Sequence, residues 1–588
     1  MRELTLVLPI HAAAVVWLTW PLAAHLRTHL PDIGFSCGFD LLQMIWALAY
    51  QSRTLITAPW RLPEANIYYP AHHAFFYGDA GFGALPYFMP TYLLTADPAL
   101  TSNLAFLGSI ALTAAALHLV VRRWTASHLA GLVAAWTFLT ARWVLWSWPA
   151  STLSYAVLQY FPLIVYLAEA PVVGRGRASL LLLLVVLQGL VTIYLAVPLL
   201  IGLGVIGVAR TMRRATRRAG LHLVVTVLVA ALALSAANIG YLIVRAENPS
   251  IATQTQWGSD RPTLELPWGL LRPDAATDVS LVALVLITAG AVSFLLRARG
   301  ERGDRLVRAW LHGGFWTVVG IVLSLTPVVA WFGRPIALGP LAVSSWIPIL
   351  RRVDRLAVAA LMGLCVLAGL AFAECARRLQ RGRAFGVWAP RGLAVLVVAA
   401  FYGQYAHAIG SPAVLGRVPL PSSYPLAAAI TPTSPLLTIL RRPGGPLLEL
   451  PATSLSGRSL DPPANARAMY RSTFHWRSIL NGYGGYWPAG FRERMMLARS
   501  LPDPAALAEL RHETDLALIL VHAGEFDRLE RDLCTRMHLP SEFCPPELGR
   551  AERTTWLNFA ASGGRPDLRL VARDGDDLLF DTSAGPME

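Results

Sequence analysis

The sequence predicts a polytopic α-helical membrane protein whose carboxyl-terminal part is a separate α/β domain. Three observations carry this prediction. Of 588 residues, 55% are hydrophobic and 15% charged, where a soluble protein carries about 25% charged residues. Long uncharged runs recur as far as residue 409. Beyond residue 410 they give way to short strand and helix signals with turn residues between them.

The apolar runs give about eleven spans, at 4–22, 99–121, 129–146, 154–171, 178–192, 194–209, 219–243, 279–296, 309–331, 356–376 and 392–409. The first, "LTLVLPIHAAAVVWLTWPL", lacks a small-residue cleavage site and reads as an anchor rather than a signal peptide. The stretch 178–209 is 32 residues without a charge, with Tyr194 and Pro198 near its middle. It reads as a hairpin of two short helices.

The charge fixes the orientation. The chain contains no lysine, so all 50 basic residues are arginine, and the net charge is +14. "RRW" (122–124), "GRGR" (174–177), "RTMRRATRR" (210–218), "RARGERGDR" (297–305) and "RRLQRGR" (377–383) fall on one side when numbered through the spans. With Arg308 and Arg391 they hold 19 Arg against Glu301 and Asp304. That asymmetry marks the cytoplasmic face. The basic runs are short and not interleaved with aromatics, so the charge is topological and argues against nucleic acid as a partner.

Three loops then face outward: 23–98, 244–278 and 332–355. So does everything after about residue 410. A Pro-rich linker, 410–435, precedes the domain at 436–588. There "PLLELP" (446–451) and "LALILVH" (516–522) read as strands, 503–513 as a helix opened by "PDP", and "LRLVARDGDDLLFD" as a hairpin around Asp-Gly. Cys365 and Cys375 lie in a span and read as small apolar packing. Cys534 and Cys544 share the external tail, where an oxidising compartment permits a disulfide between them.

No GxSxG, Walker loop, GxGxxG after a strand or HExxH is present. Polar groups instead gather in the outward loops. The first holds Asp40, Glu64, Asn66, His72, His73 and Asp79, with Trp60, Tyr68, Tyr69 and Phe75 among its aromatics. Segments 41–58 and 80–96 read as interfacial helices or re-entrant pieces on the outer face. Asp40 in "GFDLLQMIWAL" and Asp79 in "YGDA" each head one, so each is a helix cap or a catalytic acid. On the local sequence the cap is the stronger reading. In "ILRRVDRLAV", outward arginines breach the charge bias. Arg352 and Arg355 there are candidates for a phosphate, because a guanidinium fork binds phosphate bidentately. The competing reading is an ion pair with Asp354. "YRSTFHWRSILNGYGGYWP" (470–488) offers aromatic faces and hydrogen-bonding groups to a sugar or peptide, and its Gly482, Gly484 and Gly485 suggest a turn close to another surface.

"GFDLLQMIWAL", "EANIYYP" (64–70), "TADPALTSNLAFLGSIALTAAALHLVVRRW" (95–124), "LRRVDRLAV" (350–358) and the 470–488 stretch, in that order, resemble the C-type membrane glycosyltransferases, the GT-C superfamily. The resemblance runs from near residue 38 to the end of the tail. It implies a GT-C-like module at 1–409 in a bacterial inner membrane, with the domain extracytoplasmic. It implies sugar transfer from a polyprenyl-phosphate donor to an envelope glycan or protein acceptor. Asp40 falls at the place of the first-loop acid and would act as base, with Asp79 as second acid. Arg352 and Arg355 would hold the donor phosphate. Asn66, Tyr68, Tyr69, His475, Asn481 and Tyr483 would line the acceptor site. Relatives often carry paired acids where only Asp40 stands here; a divalent metal is the one cofactor left open. A lipid-linked substrate transporter or flippase is the alternative, since Arg142, His118, Gln159 and Gln188 lie within or near span ends. So is a non-catalytic envelope scaffold.

Overall fold

The computed structural model describes residues 2–33, 38–170, 174–252, 264–266, 268–297, 303–346, 350, 352–381, 388–431, 434–453, 460–526 and 546–582. Cys534 and Cys544 lie outside the described residues. Cys365 is buried and Cys375 partly so, both as free thiols.

Each expected span carries helix, but not each is long enough to cross. Among the described residues, five helices have the length and apolarity of a span: Pro98–Thr125, Ile193–Thr211, Arg214–Ala237, Asp304–Leu323 and Val353–Gln380. His128–Leu139 with Arg142–Ser151 makes a sixth if that pair, bent by 44°, is one span. The expectation of eleven counted apolar runs without their length as helix. Tyr160–Glu169 has 10 residues and Arg175–Gly189 has 15. At 1.5 Å per residue they rise about 15 and 22 Å, short of a hydrocarbon core of about 30 Å. The run 178–209 does break in two, at residues 190–192 between Arg175–Gly189 and Ile193–Thr211. A first-loop backbone group binds the break: Gly83 N–H donates to Leu190 O at 3.0 Å.

The long helices separate two poles. In Ile193–Thr211, Tyr194 at one end accepts from the Arg352 backbone N–H at 3.3 Å. At the other end Arg210 donates to the carbonyls of Ala170 (3.0 Å) and Glu169 (3.1 Å). The helix has 19 residues, so these ends stand about 28 Å apart. The basic connections gather at the Arg210 pole, where Arg308 pairs with Glu169 at 2.6 Å and Arg122 with Glu3 at 2.5 Å. Arg355, the first loop and the tail share the other pole.

Phe39–Thr57 is not an interfacial helix. Fourteen of its 19 residues are buried. It lies between helix Pro462–Ser472 of the tail, helix Leu85–Thr95 and the segment around 148–155. Being apolar nearly all round, it is a core helix. Inside it, Gln51 donates to the carbonyls of Ala47 (3.0 Å) and Ala80 (2.5 Å), and Ser52 to Leu48 O at 2.6 Å.

The tail holds a five-stranded sheet in the order Leu447–Leu450, Leu518–His522, Asp577–Asp581, Leu568–Asp574, Gly564–Arg565. The first pair is parallel and the others antiparallel. Helix Pro504–Thr514 is capped by Asp503, which accepts from the N–H groups of Ala505 (2.9 Å) and Ala506 (3.1 Å). The stretch expected to be a Pro-rich linker contributes a strand. Its strand Leu426–Ala428 pairs antiparallel with His29–Pro31 of the first loop. A third sheet joins Leu264–Leu266, parallel, to the hairpin Val328–Trp331 and Arg334–Ala337.

Candidate active site

Asp40 is the second residue of its helix. The helix N-cap is Gly38, at φ +74°, with no side-chain cap. Asp79 is not at an N-cap position either: Gly81 precedes the turn Phe82–Ala84, and Ala84 precedes helix Leu85–Thr95. The expected capping role therefore falls away for both. Asp40 Oδ1 instead accepts from the Tyr483 hydroxyl at 2.7 Å. Tyr483 is buried, with its ring edge-on to Phe39 at 5.1 Å.

The tail builds the loop that delivers Tyr483. Asn481 accepts from Glu449 N–H at 2.8 Å, and donates to Glu449 O at 2.9 Å and Asn465 Oδ1 at 3.2 Å. Gly484 lies against Tyr77 and Gly78 so closely that a Cβ there would stand 2.5 Å from the Tyr77 carbonyl oxygen. The glycine turn expected near another surface is thus packed on the first loop.

Burial pushes the Asp40 carboxyl above its ordinary range. The Tyr483 hydrogen bond and the Arg355 charge pull it back down, and Asp79 pushes it up. Asp40, Asp79 and Arg355 therefore lie within electrostatic reach at one pole.

Arg355 sits in the single turn Val353–Ala357. Its guanidinium carbon lies 3.7 Å from the Trp148 ring centre, 5.3 Å from Tyr155 and 5.2 Å from Tyr194. One N–H donates to the Tyr155 hydroxyl at 3.1 Å. Nε is buried with no hydrogen-bond partner. Among the described residues no carboxylate stands within ion-pair distance of it. Arg352 differs: its fork is taken by Asp354, with both bonds at 3.0 Å. The ion-pair reading thus holds for Arg352; of these two arginines, Arg355 has no carboxylate partner among the described residues. Beside Asp79, Ala80 N–H donates to the Tyr241 hydroxyl at 3.1 Å, which itself donates to Gly78 O at 2.8 Å.

The remaining expected acceptor residues form a seam between first loop and tail. Asn66 donates to Ser472 Oγ (3.1 Å) and Arg477 O (3.2 Å) and accepts from the Trp46 indole (3.0 Å). Tyr68 has no exposed surface; its hydroxyl donates to Tyr486 O at 3.1 Å and its N–H to Asn481 O at 3.0 Å. Tyr69 N–H donates to Ile479 O at 3.0 Å. His475 accepts from Arg477 N–H at 3.1 Å, and burial pulls its pKa down to about 4, which leaves it neutral. The polar groups of Asn66, Tyr68 and Asn481 are spent on protein partners, so these residues hold the seam rather than face a ligand. Trp148, Tyr155, Tyr194 and Tyr241 complete the site and were not singled out for it. Their signal was the polar-aromatic "SWPASTLSY" and the Tyr at the helix break.

Among the described residues no group of three or more His, Cys, Asp or Glu is arranged to hold a metal. His72 pairs with Glu64 at 3.1 Å and His73 with Glu247 at 2.9 Å, each away from Asp40 in partnership. Of the span polar groups, Arg142 donates to Tyr405 O at 2.9 and 2.6 Å, His118 joins His11 and His128 at 3.1 Å each, and Gln188 donates to Val157 O at 2.7 Å.

No family model and no curated protein matches the chain. Among solved structures it is similar to ArnT from Cupriavidus metallidurans in the apo state, at 14% identity and TM-score 0.47, over 98% of this chain and 99% of that one. It is similar to the Archaeoglobus fulgidus oligosaccharyltransferase in the apo form, at 10% identity and TM-score 0.43, over 91% of this chain and 71% of that one. It is also similar to AglB of the same organism in complex with an inhibitory peptide and a dolichol-phosphate, at 11% identity and TM-score 0.35, over 90% and 70%. With every TM-score below 0.5, residue roles rest on this chain's own geometry.

Proposed function

We propose that this chain is a membrane glycosyltransferase that moves a sugar from a polyprenyl-phosphate donor to an envelope acceptor. The positive-inside pattern supports a cytoplasmic arginine pole, which gives transfer at the opposite, extracytoplasmic pole of a bacterial inner membrane. The observation that carries the reading is a buried carboxylate within electrostatic reach of a cation that has no carboxylate partner among the described residues. Asp40, steadied by Tyr483 at 2.7 Å, faces Arg355, whose Nε is buried and unpartnered.

The chemistry follows from that pair. The acceptor hydroxyl gives its proton to Asp40 as its oxygen bonds to the anomeric carbon. The bond from that carbon to the donor phosphate oxygen breaks, through an oxocarbenium-like centre. The electron pair leaves with the polyprenyl phosphate, whose charge Arg355 stabilises. Burial raises the basicity of Asp40 toward a useful range. Asp79 reinforces that rise as the second acid. Arg352 takes no part in phosphate binding, because Asp354 fills its fork. Tyr483 orients the base rather than touching acceptor.

The test is label transfer by the purified full-length chain, using a panel of radiolabelled polyprenyl-phosphate sugars and envelope acceptors. Transfer from one donor is expected. Absence of transfer across the panel contradicts the transferase reading and favours transport or scaffolding.

A further inference from the structure

The hairpin Val328–Trp331 and Arg334–Ala337, with the turns that follow it, presents large apolar side chains outward. Val328, Trp331, Phe332, Ile336, Leu341 and Trp346 are between 41% and 79% exposed. A patch of this kind on a water-facing surface is an association liability, and here its position says what covers it. Helix Asp304–Leu323, a candidate span, ends five residues before the hairpin. That span exposes Leu311, Val318 and Val322, which share a stripe at helical spacing and face the lipid.

The polar groups also suit a lipid boundary. The Trp346 indole N–H donates to Pro340 O at 2.6 Å, so its ring enters an apolar medium without an orphan donor. The outer strand of this sheet, Arg334–Ala337, is an edge, and Pro335 removes one of its unpaired N–H groups. Within the hairpin itself, residues 328–337, Arg334 is the only charged residue, and its long stem keeps the guanidinium at headgroup level. Open edge backbone keeps the hairpin from sinking into hydrocarbon. Its place is the interface, where Trp is favoured.

We infer that this hairpin is a lipid-seated wedge, its Trp331–Phe332 tip lodged in the leaflet at the site pole beside the turn that carries Arg355. The inference stands apart from the transferase reading, since its test measures no turnover. The full-length protein carries p-benzoylphenylalanine at position 332, or at 346 in a second variant, in nanodiscs of phosphatidylcholine and phosphatidylglycerol and in native membranes. A control carries it at 509, an exposed position on tail helix Pro504–Thr514. After irradiation, phospholipid adducts at 332 and 346 and none at 509 are expected. Adducts to another protein in native membranes, or no lipid adduct at either hairpin position, overturn the wedge.

Discussion

Asp40 is under opposed influences, and each has a residue behind it. Burial and Asp79 favour its neutral form, while Tyr483 and Arg355 favour the carboxylate. As a base it must be ionised, so transfer is expected to rise with pH through its raised pKa. Tyr483→Phe removes a hydrogen bond to a charged group, worth about 1.5–3 kcal/mol. At 1.36 kcal/mol per pH unit that shifts the acid limb up by about 1–2 units; a profile that does not move removes the tie. The two arginines separate in the same assay. Arg355→Ala is expected to lower turnover by about 10²–10³, as loss of one transition-state donor does. Arg352→Ala breaks a half-exposed ion pair worth about 0.2–1 kcal/mol and leaves turnover nearly unchanged. Equal losses would return the phosphate to both. The sequence made Asp40 and Arg355 visible because a charge among apolar residues stands out. It did not reveal Trp148, Tyr155, Tyr194 or Tyr241, because aromatic residues are ordinary in apolar segments and only folding brings these four together.

Helix Phe39–Thr57 shows where local reading stops. Its composition fits either an interfacial or a buried helix; the choice depends on helix Pro462–Ser472, more than 400 positions away. The same distance hid the seam. Asn66 and Asn481 looked like ligand-binding groups because their partners across the seam are not neighbours in sequence. Asn481→Ala leaves the Glu449 N–H and C=O unpaired in a buried place, at about 1–3 kcal/mol. The expected result is earlier thermal unfolding and faster proteolysis of the tail, with acceptor KM unchanged in the surviving enzyme. A higher KM without loss of stability would give Asn481 a ligand role. Elements set by short-range chemistry were legible: the Asp-Gly hairpin of 568–581, the Asp503 cap, and the helix break at 190–192.

The basic pole was also legible at the scale of the whole molecule, since arginine counting needs no contacts. The strand Leu426–Ala428, paired with His29–Pro31, was not legible, because a Pro-rich stretch gives no sign of it. Removing residues 410–588 is expected to bare the Phe39–Thr57 face and yield aggregated protein by size exclusion; a monodisperse remnant contradicts that integration. The tail also carries a buried charge network. Glu449 joins Arg471 at 2.6 Å and His522 at 3.2 Å, and His522 joins Asp577 at 2.8 Å. Burial and Arg471 pull the His522 pKa down, yet Asp577 and Glu449 outweigh them and raise it above 6.5. A raised folded pKa adds stability that is complete below pH 6.5 and lost as pH climbs through the folded value. The Tm should therefore fall over that window in wild type, and His522→Gln should flatten the fall; an unchanged slope contradicts the pairing. The most direct measurement is the transfer rate of Asp40→Asn against wild type and Asp40→Glu, each with unchanged thermal unfolding, using the donor that the wild type accepts. The account predicts that Asn abolishes transfer and Glu retains part of it. Equal turnover in wild type and Asp40→Asn would contradict Asp40 as the base.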